Sequence, residues 1–226
     1  MAPLAVVLVF ILGVFAVAAL WVEADIRDQD IAERTAAVEK LFVQKLDKDT
    51  NLMIATLRAM MTNPSIERAF RDLDRPALSR QMGSLFANLR DKHHITHLYF
   101  TGPDLINLYR FHSPEEFGDE IDRLTTIKAR DRQDAEHGLE LGALGTLTLR
   151  LVMPWRRDDR VIGYLEIGEE IEHLISEIRE GLAVDMLVLV DKRMLSLQQW
   201  QRGQALMKRE GNWARFAGHV ALAQTT

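Results

Sequence analysis

The first 22 residues carry no charged side chain, and apolar residues fill the segment from Leu4 to Val22. An apolar segment of about 20 residues is long enough to cross the hydrocarbon core of a bilayer, and Trp21 stands where an interfacial aromatic residue is expected. We predict a transmembrane helix over residues 1–22. The alternative is a cleaved signal peptide, although no Lys or Arg precedes the apolar segment.

The charges that follow this segment predict on which side of the membrane the rest of the chain lies. Glu23, Asp25, Asp28 and Asp30 are acidic, and Arg27 is the one basic residue among them. Basic residues hold a flanking segment in the cytoplasm, and here they are scarce. We therefore predict that residues 23–226 are extracytoplasmic.

A long stretch without glycine or proline comes next. Its apolar residues recur mostly three and four positions apart, which is the spacing of one face of an α-helix. They are Val38, Leu41, Phe42, Leu46, Met53, Leu57, Met60 and Met61. We predict a stalk helix over residues 23–62, ended by the Asn-Pro pair at 63–64, and then helices over 64–73 and 75–93. Because the first part of the stalk is highly charged, it should stand in solvent or pair with a second copy in a homodimer.

From residue 95 onward the apolar residues alternate with polar ones, which is typical of β-strands. The predicted strands cover residues 95–101, 105–112, 138–142, 146–155, 160–168, 184–190 and 219–223. Helices are predicted over 113–132, 169–181 and 196–210. Ser113 and Pro114 favour the first of these as N-cap and first-turn residues, and Gly181 favours the end of the second. The order predicts an α+β domain with one antiparallel sheet and helices packed on one side.

Composition excludes several classes of function. Lys plus Arg number 28 and Asp plus Glu number 33, and this net charge of −5 argues against a nucleic-acid binder. The chain has no cysteine, which excludes disulfides, thiol nucleophiles, iron–sulfur clusters and Cys-ligated zinc.

Two hairpins carry a resemblance to a known family. Residues 151–171, LVMPWRRDDRVIGYLEIGEEI, resemble the last hairpin of Cache-type sensor domains, and residues 100–110, FTGPDLINLYR, resemble the first. The layout of a membrane span, a long helix and then a sheet is also similar. The resemblance covers residues 35–190 and is greatest to the double-Cache sensors of bacterial membrane receptors, although the signature of the amino-acid-binding subgroup is absent. It implies a PAS-like sheet, a small-molecule ligand and a place in the bacterial inner membrane with the bulk of the chain in the periplasm.

Strand alternation sorts the side chains of the sheet into two faces. The apolar face should pack on the long helix, and the opposite face should bring polar residues together. The candidate ligand-binding residues on that face are His97, Tyr99, Arg110, His112, Arg150, Tyr164 and Glu166. Two arginines and two histidines against one glutamate favour an anion, most simply a carboxylate held by an arginine. The alternative is a solvated outer face with cross-strand ion pairs.

Other candidate chemistry is weaker. His93, His94 and His97 suggest a metal site, but the helix is expected to end near His94, where histidine is also favoured by the helix dipole. The Glu-x-x-His spacing that ends at His173 occurs once, so a solvated helix face is preferred over a di-iron site. We find no nucleophile–base pair and no nucleotide-binding loop. We predict no metal, no cofactor and no catalysis.

These observations predict an extracytoplasmic ligand-sensing domain of a membrane-anchored receptor. The expected domains are an anchor (1–22), a stalk (23–62), a Cache-like sensor (63–183) and the start of a second module or a closing segment (184–226). Ligand binding should shift the sheet against the long helix, which relays the displacement to the membrane. The alternatives are a membrane-tethered assembly protein that uses the sheet face as an interface, and a periplasmic hydrolase.

Overall fold

The computed structural model describes residues 2–142, 145–207 and 210–225, without the side chains of residues 2–12, 206 and 207. The chain divides after residue 44 into two units. One helix, α1 (Ala2–Met61), begins in the first unit and ends in the second. It is therefore continuous through the predicted anchor and the predicted stalk.

The first unit consists of α1 up to residue 44, and many of its described apolar side chains are exposed. Phe15, Trp21 and Ile26 are all more than half exposed. Where side chains are described, no helix has a stretch that is both long and apolar enough to cross a membrane. The predicted span at residues 1–22 lies in large part outside those residues, because the side chains of 1–12 are not described. The span stays a prediction.

The second unit begins with three helical segments: the end of α1, α2 (Pro64–Arg71) and α3 (Arg75–His93). Asn63 caps α2 by accepting hydrogen bonds from two backbone N–H groups, and Asp74 caps α3 by accepting one, from Ala77. Helix α3 ends at His93, and the next residue, His94, has a left-handed backbone. Because α1 ends at Met61 and α2 begins at Pro64, the predicted break in the helix at residues 63–64 is confirmed.

Five antiparallel strands form the main sheet in the order β2-β1-β5-β4-β3. Their bounds are β1 Ile95–Thr101, β2 Asn107–Arg110, β3 Glu136–Leu141, β4 Leu147–Arg157 and β5 Arg160–Glu170. The β4–β5 hairpin turns through Asp158 and Asp159, both at positive φ, which is the backbone of a tight two-residue hairpin turn. The predicted α+β class with an antiparallel sheet is confirmed, but the prediction of one sheet is wrong, because the last two strands form a second sheet.

One face of this sheet is the core of the second unit. Phe70 of α2 stacks on Trp155 of β4, with ring centroids 5.1 Å apart, and lies 5.7 Å from Phe100 of β1. Phe86 of α3 packs on Phe111 at 5.5 Å. The alternation predicted from the sequence therefore places the apolar side of the strands against the N-terminal helices.

The rest of the second unit forms a smaller layer. It contains α5 (Glu172–Leu182), β6 (Leu187–Asp191), α6 (Leu197–Met207), a 3-10 turn at Trp213–Arg215 and β7 (His219–Gln224). Strands β6 and β7 pair antiparallel in a sheet of their own. Leu195, Trp200, Val220 and Leu222 are buried together beside them.

The structure corrects the helix predicted over residues 113–132. Only α4 (Leu124–Arg132) is helical, and residues 111–123 form turns. Gly118 has a positive φ of 84°, and the amide of Asn107 donates to Glu116 O and to Asp119 Oδ1. These side-chain hydrogen bonds give the loop backbone an alternative to the helix.

Two further expectations of helix placement are wrong. Gly181 lies inside α5, which ends at Ala183 in the left-handed conformation. The helices do not all lie on one side of the sheet, because Ala129 of α4 is buried with Val152 and Tyr164 on the opposite face. Helix α4 therefore covers part of the face that alternation assigned to polar residues.

Gly163 is predicted to be intolerant of a side chain. A Cβ atom there would lie 2.4 Å from the carbonyl oxygen of Thr101 and 2.4 Å from Cζ of Phe70. We expect Gly163→Ala to lower the free energy of unfolding by about 1–3 kcal/mol through overpacking. Gly83→Ala, whose Cβ would meet nothing within 4 Å inside α3, should instead raise it by up to about 1 kcal/mol. Urea titration of both variants checks the pair, and equal effects would contradict the packing argument.

Candidate ligand-binding site

The register of the strands brings most of the predicted site residues into two neighbouring rows. Tyr99 lies opposite Arg110 on one side and opposite Glu166 on the other. In the next row, His97 and Arg150 both lie opposite Gly168. Because Gly168 has no side chain, the space between His97 and Arg150 is free of a β-carbon.

Glu166 lies at the centre of the site and is 1% exposed. Its Oε1 accepts a hydrogen bond from Nη1 of Arg150 at 2.5 Å, and its Oε2 accepts one from Nη2 of Arg123 at 2.5 Å. A single buried carboxylate therefore holds two guanidinium groups, one from β4 and one from the residue before α4. Charge-assisted hydrogen bonds of this kind are the strong ones.

Tyr99 forms the aromatic floor of the site. The guanidinium of Arg123 lies over its ring at 4.6 Å from the centroid, and that of Arg110 at 5.3 Å. The Tyr99 hydroxyl lies 3.2 Å from Nε2 of His112, and the His112 ring meets the His97 ring edge-on at 4.6 Å. The electron-rich face of the Tyr99 ring stabilises the positive charges of these two guanidinium groups.

The two histidines are held in the neutral form. Burial, followed chiefly by the positive charge of Arg150, lowers the pKa of His97 to about 2. The pKa of His112 is lowered to about 4 by partial burial and then chiefly by Arg110, although the His112 side chain keeps an exposed edge. At neutral pH the positive charge of the site therefore comes from arginine alone, which corrects the expectation that the histidines add to it.

Arg110 already has carboxylate partners. Its Nη1 donates to Glu116 at 3.1 Å, and its Nη2 donates to Asp119. Partial burial raises the pKa of Asp119, but the hydrogen bonds from Asn107 and Arg110 outweigh this, and the net pKa lies below its usual value. Arg110 thus fixes residues 111–123 to the sheet, and it is not the free carboxylate clamp that the sequence suggested.

Tyr164 shares the strand face with the other residues but lies apart from them chemically. It is buried among Leu105, Ala129 and Val152 beneath α4. This small apolar cluster seals one end of the polar face. Tyr164 therefore has a packing role, whereas His97, Tyr99, His112, Arg150 and Glu166 form one contact network.

The sequence reasoning missed two residues of this network, Arg123 and Glu140. Glu140 Oε1 accepts the backbone N–H of Thr125 at 2.8 Å and so caps α4 from β3, while its Oε2 lies 3.6 Å from Nε of Arg150. Alternation on β3 from Glu136 through Gly138 could have placed Glu140 on the polar face. Nothing in the sequence pattern places Arg123 there, because it follows an irregular loop.

Several buried polar atoms of the network have no hydrogen-bond partner among the residues the structure describes. They are Nε of Arg110, Arg123 and Arg150, Oγ1 of Thr125 and Thr148, and Oε2 of Glu140. Three of them are guanidinium N–H donors, and their arginines each contact Tyr99 or Glu166. A small molecule that offers carboxylate or hydroxyl oxygens could accept from such donors.

A second cluster of titratable side chains lies where α1, β5 and α5 meet. Asp49, Glu169 and His173 have ligand atoms within 4.8 Å of one another. Burial, followed by the nearby Asp49, raises the pKa of Glu169 to about 8. Glu169 is 2% exposed, which corrects the expectation of a solvated helix face.

The three histidines considered together as a metal site are divided between the two clusters. His93 and His94 line a cavity of about 350 Å³ together with the second cluster, and the His94 ring stacks on His173 at 4.2 Å. His97 instead contacts Tyr99 and His112. The left-handed turn at His94 separates them, because it ends the helix before the strand begins.

A five-stranded antiparallel sheet in the order β2-β1-β5-β4-β3, flanked by helices, fits the Cache and PAS-like fold class. The chain belongs to the family described as the double sensory domain of two-component sensor kinases, whose model matches residues 31–221. This confirms the Cache-type resemblance. The family is a sensor domain of receptors and not an enzyme domain.

Solved structures share the fold at low sequence identity. The extracellular domain of a protein described as a histidine kinase, vpHK1S-Z8, has a TM-score of 0.56 at 16% identity, over 72% of this chain and 68% of that one. A domain of a sensory box/GGDEF family protein from Vibrio parahaemolyticus has a TM-score of 0.53 at 16% identity, with the same coverage. The periplasmic domain of Vibrio cholerae LuxQ has a TM-score of 0.50 at 14% identity, over 84% and 78%. No curated protein matches the sequence significantly.

Proposed function

We propose that the chain senses a small carboxylate, bound between the polar face of the main sheet, α4 and residues 111–123. The observation that carries this proposal is the convergence of Arg123 and Arg150 on the single carboxylate of Glu166. The Nε–H of Arg123 is also buried without an acceptor in the described structure, and the Nε–H of Arg150 has only Oε2 of Glu140, 3.6 Å away. Buried donors of this kind gain about 1–3 kcal/mol each when an acceptor reaches them.

Arg123 is the residue through which binding would change the structure. It is the last residue of the irregular segment 111–123, directly before α4, whereas Arg150 is fixed in the sheet on β4. A carboxylate that accepts from both arginines would draw the start of α4 toward β4. A ligand that binds more tightly when the start of α4 lies near β4 shifts the population of molecules toward that arrangement.

The proposed location is extracytoplasmic, with residues 1–22 as a single membrane anchor and α1 as the stalk of a homodimer. The membership of a sensor-kinase family supports this proposal, as does the fold that the chain shares with the periplasmic domain of LuxQ. The outward-facing apolar residues of the first unit, such as Phe15 and Trp21, suit contact with lipid or with a second helix. Residues 184–226 would then belong to the second sensory module.

The alternative of an assembly protein that binds partners through the sheet face finds less support. Arg150, Glu166 and Thr148, which lie on that face, are each at most 4% exposed. A partner protein would have to displace α4 to reach them.

We expect Arg123→Ala to weaken binding of the ligand at least tenfold, because a charge-assisted hydrogen bond and a cation over Tyr99 are lost together. The full chain is screened by thermal shift against small monocarboxylates, dicarboxylates and amino acids, with inorganic phosphate alongside. A ligand at about 100 times its Kd should stabilise the chain by about 2.7 kcal/mol. Titration calorimetry then gives the affinities of the parent and the variant.

Arg130→Ala is the matched control, because Arg130 lies on the same helix and its exposed side chain pairs with Asp131. It should bind the carboxylate as the parent does. Equal affinity of the Arg123→Ala variant and the parent would contradict the site. A panel in which phosphate alone stabilises the chain would contradict the carboxylate.

A further inference from the structure

We propose that Asp49, Glu169 and His173 form a binding site for a divalent transition-metal cation, with Zn²⁺ as the probe. The three residues come from three elements, α1, β5 and the first turn of α5. Their ligand atoms lie within 4.8 Å of one another, and Zn²⁺ holds such atoms roughly 3.5 Å apart. Side-chain rotations that move the ligand atoms by about 1 Å would therefore bring them to the spacing found around Zn²⁺. It is separate from the proposed carboxylate site and does not depend on it.

The orientation of His173 is the first argument. Its Nδ1 lies 2.9 Å from the carbonyl oxygen of Glu170. A carbonyl oxygen only accepts, so Nδ1 must carry the proton and donate. In the neutral ring the lone pair is then on Nε2, which lies 4.0 Å from Oε2 of Glu169. A histidine oriented by a backbone carbonyl, with its other nitrogen toward carboxylates, has the arrangement of a metal ligand.

Glu169 supplies the second, independent argument. It is 2% exposed, and its Oε1 is buried without a hydrogen-bond donor in the described part of the chain. The Asp49 carboxyl is close enough to share a hydrogen bond with it. Two adjacent carboxylates in a buried place repel each other unless a proton or a cation lies between them. A cation would satisfy both, together with the lone pair of His173.

The surroundings leave room for such an ion. The cavity of about 350 Å³ at this place is lined by both carboxylates and by His94 and His173. Lys45, Lys48 and Lys92 also line it, but Lys45 is paired with Glu177. His94 stacks on the His173 ring and so holds the imidazole in place. The remaining coordination positions would go to water, as in sites with three protein ligands.

The test is calorimetric titration of the chelator-treated full chain with ZnCl₂, together with its thermal melting with and without zinc. We expect one saturable site per chain and a zinc-dependent rise in melting temperature. Asp49→Asn and His173→Gln should each weaken zinc binding at least tenfold. His137→Gln, which removes an exposed histidine on β3, is the matched control and should bind zinc as the parent does.

Glu169→Gln distinguishes loss of a ligand from loss of the fold. The amide can donate to Asp49, so this variant should melt at a higher temperature than the parent without zinc, and zinc should raise it no further. Zinc binding that survives in Asp49→Asn and in Glu169→Gln would overturn the proposal. Binding lost instead in His93→Gln, with Asp49→Asn unaffected, would place the ion on surface histidines and would also overturn it.

Discussion

Replacing Glu166 by alanine should lower the free energy of unfolding by about 3–5 kcal/mol, because it leaves two guanidinium groups in a buried site without their shared carboxylate. Arg150 is 4% exposed and Glu166 1%, so solvent cannot take over the role of the missing partner. Chemical denaturation monitored by tryptophan fluorescence measures the loss. Trp155 lies in the same sheet as both residues.

Glu116→Ala is the matched control for this prediction. Glu116 also pairs with an arginine, but its side chain is 68% exposed, so its removal should cost less than about 1 kcal/mol. Changing Glu166, Arg123 and Arg150 together to Leu, Met and Met should recover part of the stability, because the carboxylate and both of its arginines are then removed together, and only Glu140 loses a partner, Arg150. A loss below about 1 kcal/mol for Glu166→Ala would show that these arginines are not held by Glu166.

Acid should destabilise the chain through His97, with a contribution of up to about 1.4 kcal/mol for each pH unit below 6.5. The folded-state pKa is lowered to about 2, chiefly by burial, whereas the unfolded chain takes up a proton near the ordinary pKa of 6.5. The unfolded state therefore binds more protons, and stability falls as the pH falls from 6.5. His97→Gln removes this contribution and should flatten the pH dependence between pH 6.5 and 4.5.

Comparing the pH dependence of stability of the parent and of His97→Gln separates the contribution of His97 from those of the other titrating groups. Glu169, with its pKa raised to about 8, contributes in the opposite sense, since its unfolded form loses its proton earlier as the pH rises from 4.5 to 8. This contribution is the same in parent and variant and cancels in their difference. His137→Gln is the reference for the loss of an exposed imidazole. Parallel pH profiles for the parent and His97→Gln would show that His97 is protonated in the folded chain.

The strands were predictable because the alternation of apolar and polar residues that marks them lies within short segments of the chain. Leu149, Leu151 and Met153 alternate with Thr148, Arg150 and Val152, and a period of two permits one assignment of faces. The antiparallel pairing of β4 and β5 followed from a short polar turn. The same alternation placed Tyr164 with the polar residues, because it reports the face of a strand and not what covers that face.

The partners of the polar residues were not predictable in this way. The helix expected over residues 113–132 was wrong for its first half, and with it the position of Arg123 was lost. Asn107 and Arg110 hold that segment through Glu116 and Asp119, at sequence separations that no periodic pattern records. In the site that we propose, the carboxylate is therefore held by Arg123 and Arg150 and not by Arg110.

The sequence by itself determined the antiparallel sheet, the break at residues 63–64, the apolar side of the strands and the sensor family, because these depend on the order of residues within short segments. The tertiary structure alone decided that Glu166 joins Arg123 to Arg150, that α4 covers the polar face, and that Asp49 meets Glu169 and His173. Each of these arrangements includes at least one contact between segments far apart in the chain, such as Arg123 with Glu166 or Asp49 with Glu169. The burial that makes the charges interact strongly exists only when the segments pack together.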